Sequence, residues 1–257
     1  MQVVALWVLV FVLFDQPQIS LPAGATVNIQ IILRWIHFMA GITWIGLLYF
    51  FNLVNMPFMK EIGPATRLKV VPTLMPRAMW WFRWASVITV LAGFIYWSMI
   101  VGADARNAGT SGGRAVGSFF VIWTLAFMVE MAIVMSPAEG LKTGPVLGTV
   151  VALAVIVAAY VFLAMNFHGW ESSRMLSIGI GGGIGWFMML NVWGIVWRVQ
   201  KKIIRWTAQN AKDGTPIPPE SAMLARVSFL ASRINFILSF PMLFFMGAAS
   251  HYPLFGK

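Results

Sequence analysis

The chain has no cysteine. That absence excludes disulfides, iron–sulfur clusters and a covalently attached c-type haem, and it removes thiols as markers of a redox compartment. Charge is scarce too: 10% of the 257 residues are Asp, Glu, Lys or Arg, against about 25% in soluble domains. Acidic residues are the scarcest, 8 against 18 basic ones. There is no Walker loop, dinucleotide fingerprint, internal repeat or low-complexity tail, so the phosphate-cradling and repeat folds drop out. A net charge of +10 would suit nucleic acid in a soluble protein. In this composition it reads as the basic loops of a membrane chain, and no nucleic-acid partner is expected.

What fills the sequence is hydrocarbon. Hydrophobic residues make up 60% of it, the mean hydropathy is +0.81, and the apolar residues come in blocks of about 20, enough to span about 30 Å of hydrocarbon. The blocks run continuously instead of alternating, which selects helices over a barrel. The expected fold is all-α: one integral membrane domain over 1–257, a polytopic transmembrane helix bundle of about seven spans, or about six if the short apolar run 2–14 does not cross. The other spans are expected near 29–57, 78–101, 116–136, 145–165, 176–197 and 228–250. A polar connection punctuated by Pro64, Pro72 and Pro76 precedes the third span, and a basic, amphipathic connection over 198–219 precedes the last. Lys60, Arg67, Lys69, Arg77, Lys201 and Arg205 belong to connections on one side, whereas the other side holds only Arg106, Arg114, Arg174 and Lys257. The bias places the first group in the cytoplasm of a bacterial inner membrane and the C-terminus on the periplasmic side.

One stretch departs from plain hydrocarbon, the run Arg34-Trp-Ile-His-Phe-Met-Ala-Gly-Ile-Thr-Trp-Ile-Gly46. At about 100° per residue, Arg34, His37, Gly41 and Trp44 fall within roughly 80° of one helix face. Ionisable groups in a span face a protein interior, a cavity or a cofactor. The expected topology brings His37, His168 and His251 to the outer side, together with Arg34, Trp35, Trp44 and Tyr252. Neutral imidazole ligates haem iron or a transition metal. His37 and His251 on different helices, with Arg34 one turn away for a propionate, match the inventory of a b-type haem site, and His168 is a third candidate ligand. Gly41, Trp44, Trp35 and Tyr252 are the candidate lining. Near the inner side Glu130 lies within a span, and Arg83 or Arg233 is its expected ion-pair partner. The glycines at 179, 181, 182, 183 and 185 suit close helix packing or a flat cofactor.

Two stretches resemble a known family. Arg34 to Gly46, and Ser232-Arg-Ile-Asn235 through Pro241 to Ser250-His251-Tyr-Pro253, together with Trp80-Trp81-Phe82-Arg83-Trp84, are similar to the urate oxidase N-terminal domain, the membrane domain of the bacterial cytochrome-c-linked urate oxidases. The His37, Trp44, Gly46 spacing also resembles helices of copper-resistance membrane proteins and of haem-binding protoporphyrinogen oxidases. In the urate oxidase family a periplasmic cytochrome c follows the helices, so the resemblance implies electrons passing to a c-type haem at the outer face. This chain has no Cys-x-x-Cys-His, so the cytochrome c is expected as a separate subunit of a larger complex.

Three readings follow. The first is a redox subunit that binds haem b and exchanges electrons with a periplasmic cytochrome c or other redox subunits. The second is a membrane oxidase domain acting on urate or a similar small anion, with His37 or His251 as base. The third is a cofactor-free accessory subunit of a respiratory or photosynthetic complex. A transporter fits less well, because there is no repeat and no pair of broken helices.

Overall fold

The structure, a computed structural model, describes residues 20, 22–136 and 138–255. The expected short helix over 2–14 lies outside the described residues. By internal packing the chain divides into Met1–Ile32 and Leu33–Lys257, and all of the packing that positions the site belongs to the second.

Among the described residues there are helices and no strands, and six helices are long and apolar enough to cross a membrane. The first comprises α1 (Ala25–Tyr49), a π-helical turn Phe50–Asn55 and α2 (Met56–Glu61). Then come α3 (Pro64–Asn107), α4 (Gly113–Met135) and α5 (Gly144–Asn166). The fifth crossing helix is α6 (Ser173–Asn191), which continues through a second π-helical turn, Val192–Val196, into α7 (Trp197–Asp213). The last is α8 (Glu220–His251).

The apolar blocks mark these helices, but two polar connections are helical rather than loops. The proline-punctuated segment before the third span is the first third of α3, and the basic segment after the sixth is α7. The reasons are local. Pro64 occupies the first turn, where a missing amide costs nothing. Pro72 and Pro76 withdraw only their own two amides from the helix, while Thr73 Oγ1 bonds the carbonyls of Lys69 and Val70 at 2.8 and 3.0 Å. At 1.5 Å per residue the 44 residues of α3 are about 66 Å long, about twice the hydrocarbon thickness. The basic ends of α3 and α7, which pack on each other, therefore run on beyond the apolar layer.

Helix α6 is the hub of the bundle, packing on α3, α4, α5 and α8. Lipid supplies no hydrophobic drive between spans, so close van der Waals approach does the work. Gly183 leaves room for the Trp123 indole of α4, and a Cβ there would overlap the Trp123 Nε1. Gly179 makes the same allowance for Phe162 of α5. Trp123 and Phe162 are completely buried, so these glycines serve helix packing.

A cycle of substitutions checks this. Gly183→Ala should lower the stability of the detergent-solubilised protein by about 1–3 kcal/mol through overpacking. The same change on a Trp123→Ala background should cost far less, because the overlapping ring is gone. Equal losses on both backgrounds, read by thermal unfolding, would contradict the packing account.

Candidate functional site

A cavity of about 360 Å³ opens among α1, α3, α4, α6 and α8. Arg34, His37 and Phe38 line it from α1, Gly93, Tyr96 and Trp97 from α3, and Gly182 from α6. Helix α8 adds Met246, Ser250 and His251. Three of the residues singled out in the sequence, Arg34, His37 and His251, thus border one space although more than 200 residues separate the first from the last.

His37 is held by α3. Its Nδ1 lies 2.8 Å from the carbonyl of Thr89. A carbonyl only accepts, so Nδ1 carries the proton and, in the neutral ring, Nε2 keeps its lone pair. Gly93 stands one helical turn beyond Thr89, and a Cβ at Gly93 would sit 2.7 Å from His37 Nδ1. Glycine is thus the residue that lets the imidazole reach the carbonyl. A backbone carbonyl that accepts the far ring proton, fixing tautomer and ring orientation, is the usual support of a metal-ligating histidine.

A second arginine, which the sequence reading missed, stands beside the cavity-lining Tyr96 without itself bordering the cavity. The guanidinium of Arg34 lies 6.0 Å from the Tyr96 ring centroid and that of Arg174 lies 5.3 Å from it, so two like charges share one aromatic ring. The Nε of Arg174 is buried without a hydrogen-bond partner. The sequence showed Arg174 only as a charge in an outer loop, because its neighbour Tyr96 is 78 positions away on α3.

The other sequence candidates lie elsewhere. His168 is not in the cavity: its Nδ1 is 2.9 Å from Glu171 Oε1. The amides of His168 and Gly169 donate to Glu171 Oε2 at 2.8 and 3.1 Å, so His168 is occupied in closing its own loop. That loop is anchored by Ser172, whose hydroxyl donates to Asp104 at 2.6 Å and accepts the Met175 amide as the N-cap of α6. Of the four lining candidates, none borders the cavity. Trp35 is 65% exposed and Tyr252 64%, on the outer surface. Trp44 is buried in the core, and Gly41 packs against Thr89.

The expected ion pair of Glu130 is also not formed. Glu130 is fully buried and accepts from Asn191 Nδ2 at 3.2 Å. Asn191 in turn bonds Asn235 Oδ1 at 2.9 Å and the Ala231 carbonyl at 3.0 Å. Arg83 lies over Trp197, 3.9 Å from the ring centroid, and Arg233 lies near Phe229 and Phe236. Asparagine amides can satisfy a carboxyl where a desolvated ion pair would be expensive, and aromatic faces receive the arginines.

Among known proteins, the family model described as urate oxidase N-terminal matches residues 63–257. The chain belongs to that family. The match takes in α3 to α8, with His251, Arg174 and Tyr96, and leaves Arg34 and His37 on α1 outside it. No curated protein and no solved structure matches the chain.

Two outcomes test this geometry. Burial works against the Glu171 carboxylate, but the His168 ring and the backbone amides outweigh it and hold its pKa below the ordinary 4.5. A lowered pKa stabilises the loop fully above 4.5, and the gain is lost as pH falls through the depressed folded value. Protection of the His168 and Gly169 amides against hydrogen exchange, taken relative to the intrinsic rate at each pH, should therefore fall as the pH drops through the depressed Glu171 value, and in Glu171→Gln it should already be low at neutral pH. In the core, Glu130→Ala should cost about 2–4 kcal/mol. Glu130→Gln should stay within about 1 kcal/mol of the parent, because its amide supplies a donor to Asn191 Oδ1, which has no partner.

Proposed function

We propose that this urate-oxidase-type membrane domain is a redox domain whose cavity would hold haem b, with His37 and His251 as the residues that would ligate its iron. The observation that carries the reading is the support of His37: Nδ1 is committed to the Thr89 carbonyl, which leaves the lone pair on Nε2, and the ring lines a cavity that His251 also borders. The remaining residues fit the group. Gly182 keeps a side chain out of the space a flat macrocycle needs, Gly93 makes room for the His37 ring, and Tyr96, Trp97, Phe94 and Phe119 give an apolar wall. Arg34, with Arg174 near the same Tyr96 ring, supplies positive charge for propionates.

When bound, haem would supply one-electron transfer. The protein's own contributions would be to fix the His37 tautomer through Thr89, to exclude water with the aromatic wall and to raise the potential through the neighbouring arginine charges. The electron partner would be a cytochrome c at the outer face of a bacterial inner membrane, on the side of the C-terminus and within a larger complex; the charge asymmetry of the connections supports that orientation. The same cavity supports a second reading, oxidation of urate or a similar flat anion, favoured by the family match and by the two guanidiniums around Tyr96.

A reduced-minus-oxidised visible spectrum of the purified protein, with haem quantified as the pyridine derivative, decides between them. The expected result is a b-type band at about one haem per chain. It should be abolished or strongly shifted in His37→Ala and in His251→Ala and unchanged in His168→Ala. Thr89 acts through its backbone, so Gly93→Ala, which displaces the His37 ring, should shift the band without removing the ligand. An unchanged spectrum in both histidine variants would sink the ligand assignment. A blank spectrum from folded protein that turns over urate would establish the second reading.

A further inference from the structure

At the other end of the bundle α3 and α7 enclose a second groove of about 400 Å³, with Trp80 and Arg83 from α3 and Trp197, Lys201 and Arg205 from α7 in its lining. Arg83 precedes Gly93 by ten residues on α3, and Trp197 follows Gly182 by fifteen on the α6–α7 helix. At 1.5 Å per residue the groove is therefore about 15–23 Å along the bundle from the histidine cavity. We propose that it binds the phosphate headgroup of an anionic phospholipid.

Three cations, Arg83, Lys201 and Arg205, line the groove, and no carboxylate does. The Arg83 guanidinium lies against the Trp197 ring, 3.9 Å from its centroid, and its buried Nε has no acceptor. Its side chain makes no hydrogen bond or ion pair among the described residues. A guanidinium at the membrane surface with an aromatic face behind it and no anion in front is pre-ordered for a bidentate phosphate contact.

A lipid, and not a soluble anion, follows from what adjoins the groove. On α3 the basic segment up to Arg77 gives way at Trp80 to an apolar run through Val101. Trp80, which lines the groove, and Trp84 and Leu91, within about 100° of Arg83 round the helix, are exposed along that run. A ligand held by Arg83 thus has open water-facing helix on one side and hydrocarbon-facing side chains on the other, which suits a molecule with a charged head and acyl tails. The tryptophans mark the interfacial level at which phosphates sit.

The test uses the full chain in nanodiscs of phosphatidylcholine with and without phosphatidylglycerol. Phosphatidylglycerol should raise the unfolding temperature and remain bound in native mass spectra. In Arg83→Gln/Lys201→Gln/Arg205→Gln the retained phosphatidylglycerol should fall at least tenfold and the stabilisation should vanish. Lys69→Gln/Lys202→Gln/Lys212→Gln loses the same charge from exposed positions outside the groove and should behave as the parent. Lys201→Gln/Arg205→Gln alters only exposed side chains and carries the test if Arg83→Gln fails to fold. Equal retention in parent and groove variants would overturn the proposal. So would equal stabilisation by inorganic phosphate in phosphatidylcholine discs, which would make the groove a soluble-anion site.

Discussion

A guanidinium in or beside hydrocarbon needs a partner, and a chain with 18 basic and 8 acidic residues has few carboxylates to offer. This bundle answers with aromatic rings. Arg34 and Arg174 share Tyr96, Arg83 lies over Trp197, and Arg233 sits beside Phe229 and Phe236. The ring quadrupole attracts the cation without a second ion having to be desolvated. It also leaves the charge uncompensated. A carboxylate partner would neutralise an arginine, whereas an aromatic partner holds it in place and keeps it available to an anion. Both ends of the bundle carry such arginines, and three of the acids bond backbone amides or polar side chains instead: Asp104 at the α6 cap, Glu171 in its loop, Glu130 on Asn191.

Helix α3 sets the spacing between those ends. In order along it stand Arg83 of the basic groove, Thr89 and Gly93 behind His37, Tyr96 between two arginines, and Asp104 at the outer cap. A single continuous helix fixes these distances because each residue advances by a constant rise. Its partner α6 is equally constrained, with glycines that admit Trp123 and Phe162 on two sides. Two rigid elements therefore carry most of the polar geometry, while the more exposed helices complete it.

How much of this the sequence disclosed depends on the range of each interaction. The apolar blocks located the crossing helices, since length and hydropathy are local properties. The face of α1 that carries Arg34 and His37 was legible for the same reason, through helical periodicity. Trp35 and Tyr252 were misplaced because side-chain chemistry alone assigned them, and an interfacial aromatic serves the lipid boundary as readily as a site. Glu130 was expected to find an arginine because charge is the obvious complement; its partner Asn191 lies 61 positions away, and no local pattern marks an asparagine as the one that meets it. Pro72 and Pro76 looked like loop residues, yet a helix end outside the apolar layer tolerates them, because water can bond the carbonyls they leave free.

The histidine site joins a part of the chain inside the family match to a part outside it. His37 comes from α1, before the matched segment begins at residue 63, whereas Thr89, Gly93 and Tyr96 lie within it. Much of α1 faces outward, with Phe38 and Ile42 exposed, so α1 packing alone does not orient the imidazole. The orientation comes from α3: a carbonyl to accept the Nδ1 proton and a missing Cβ that opens the approach to it. Removing either would leave His37 beside the cavity with no fixed tautomer. The matched segment therefore already contains a receptor for an imidazole, and α1 supplies the ring that fills it.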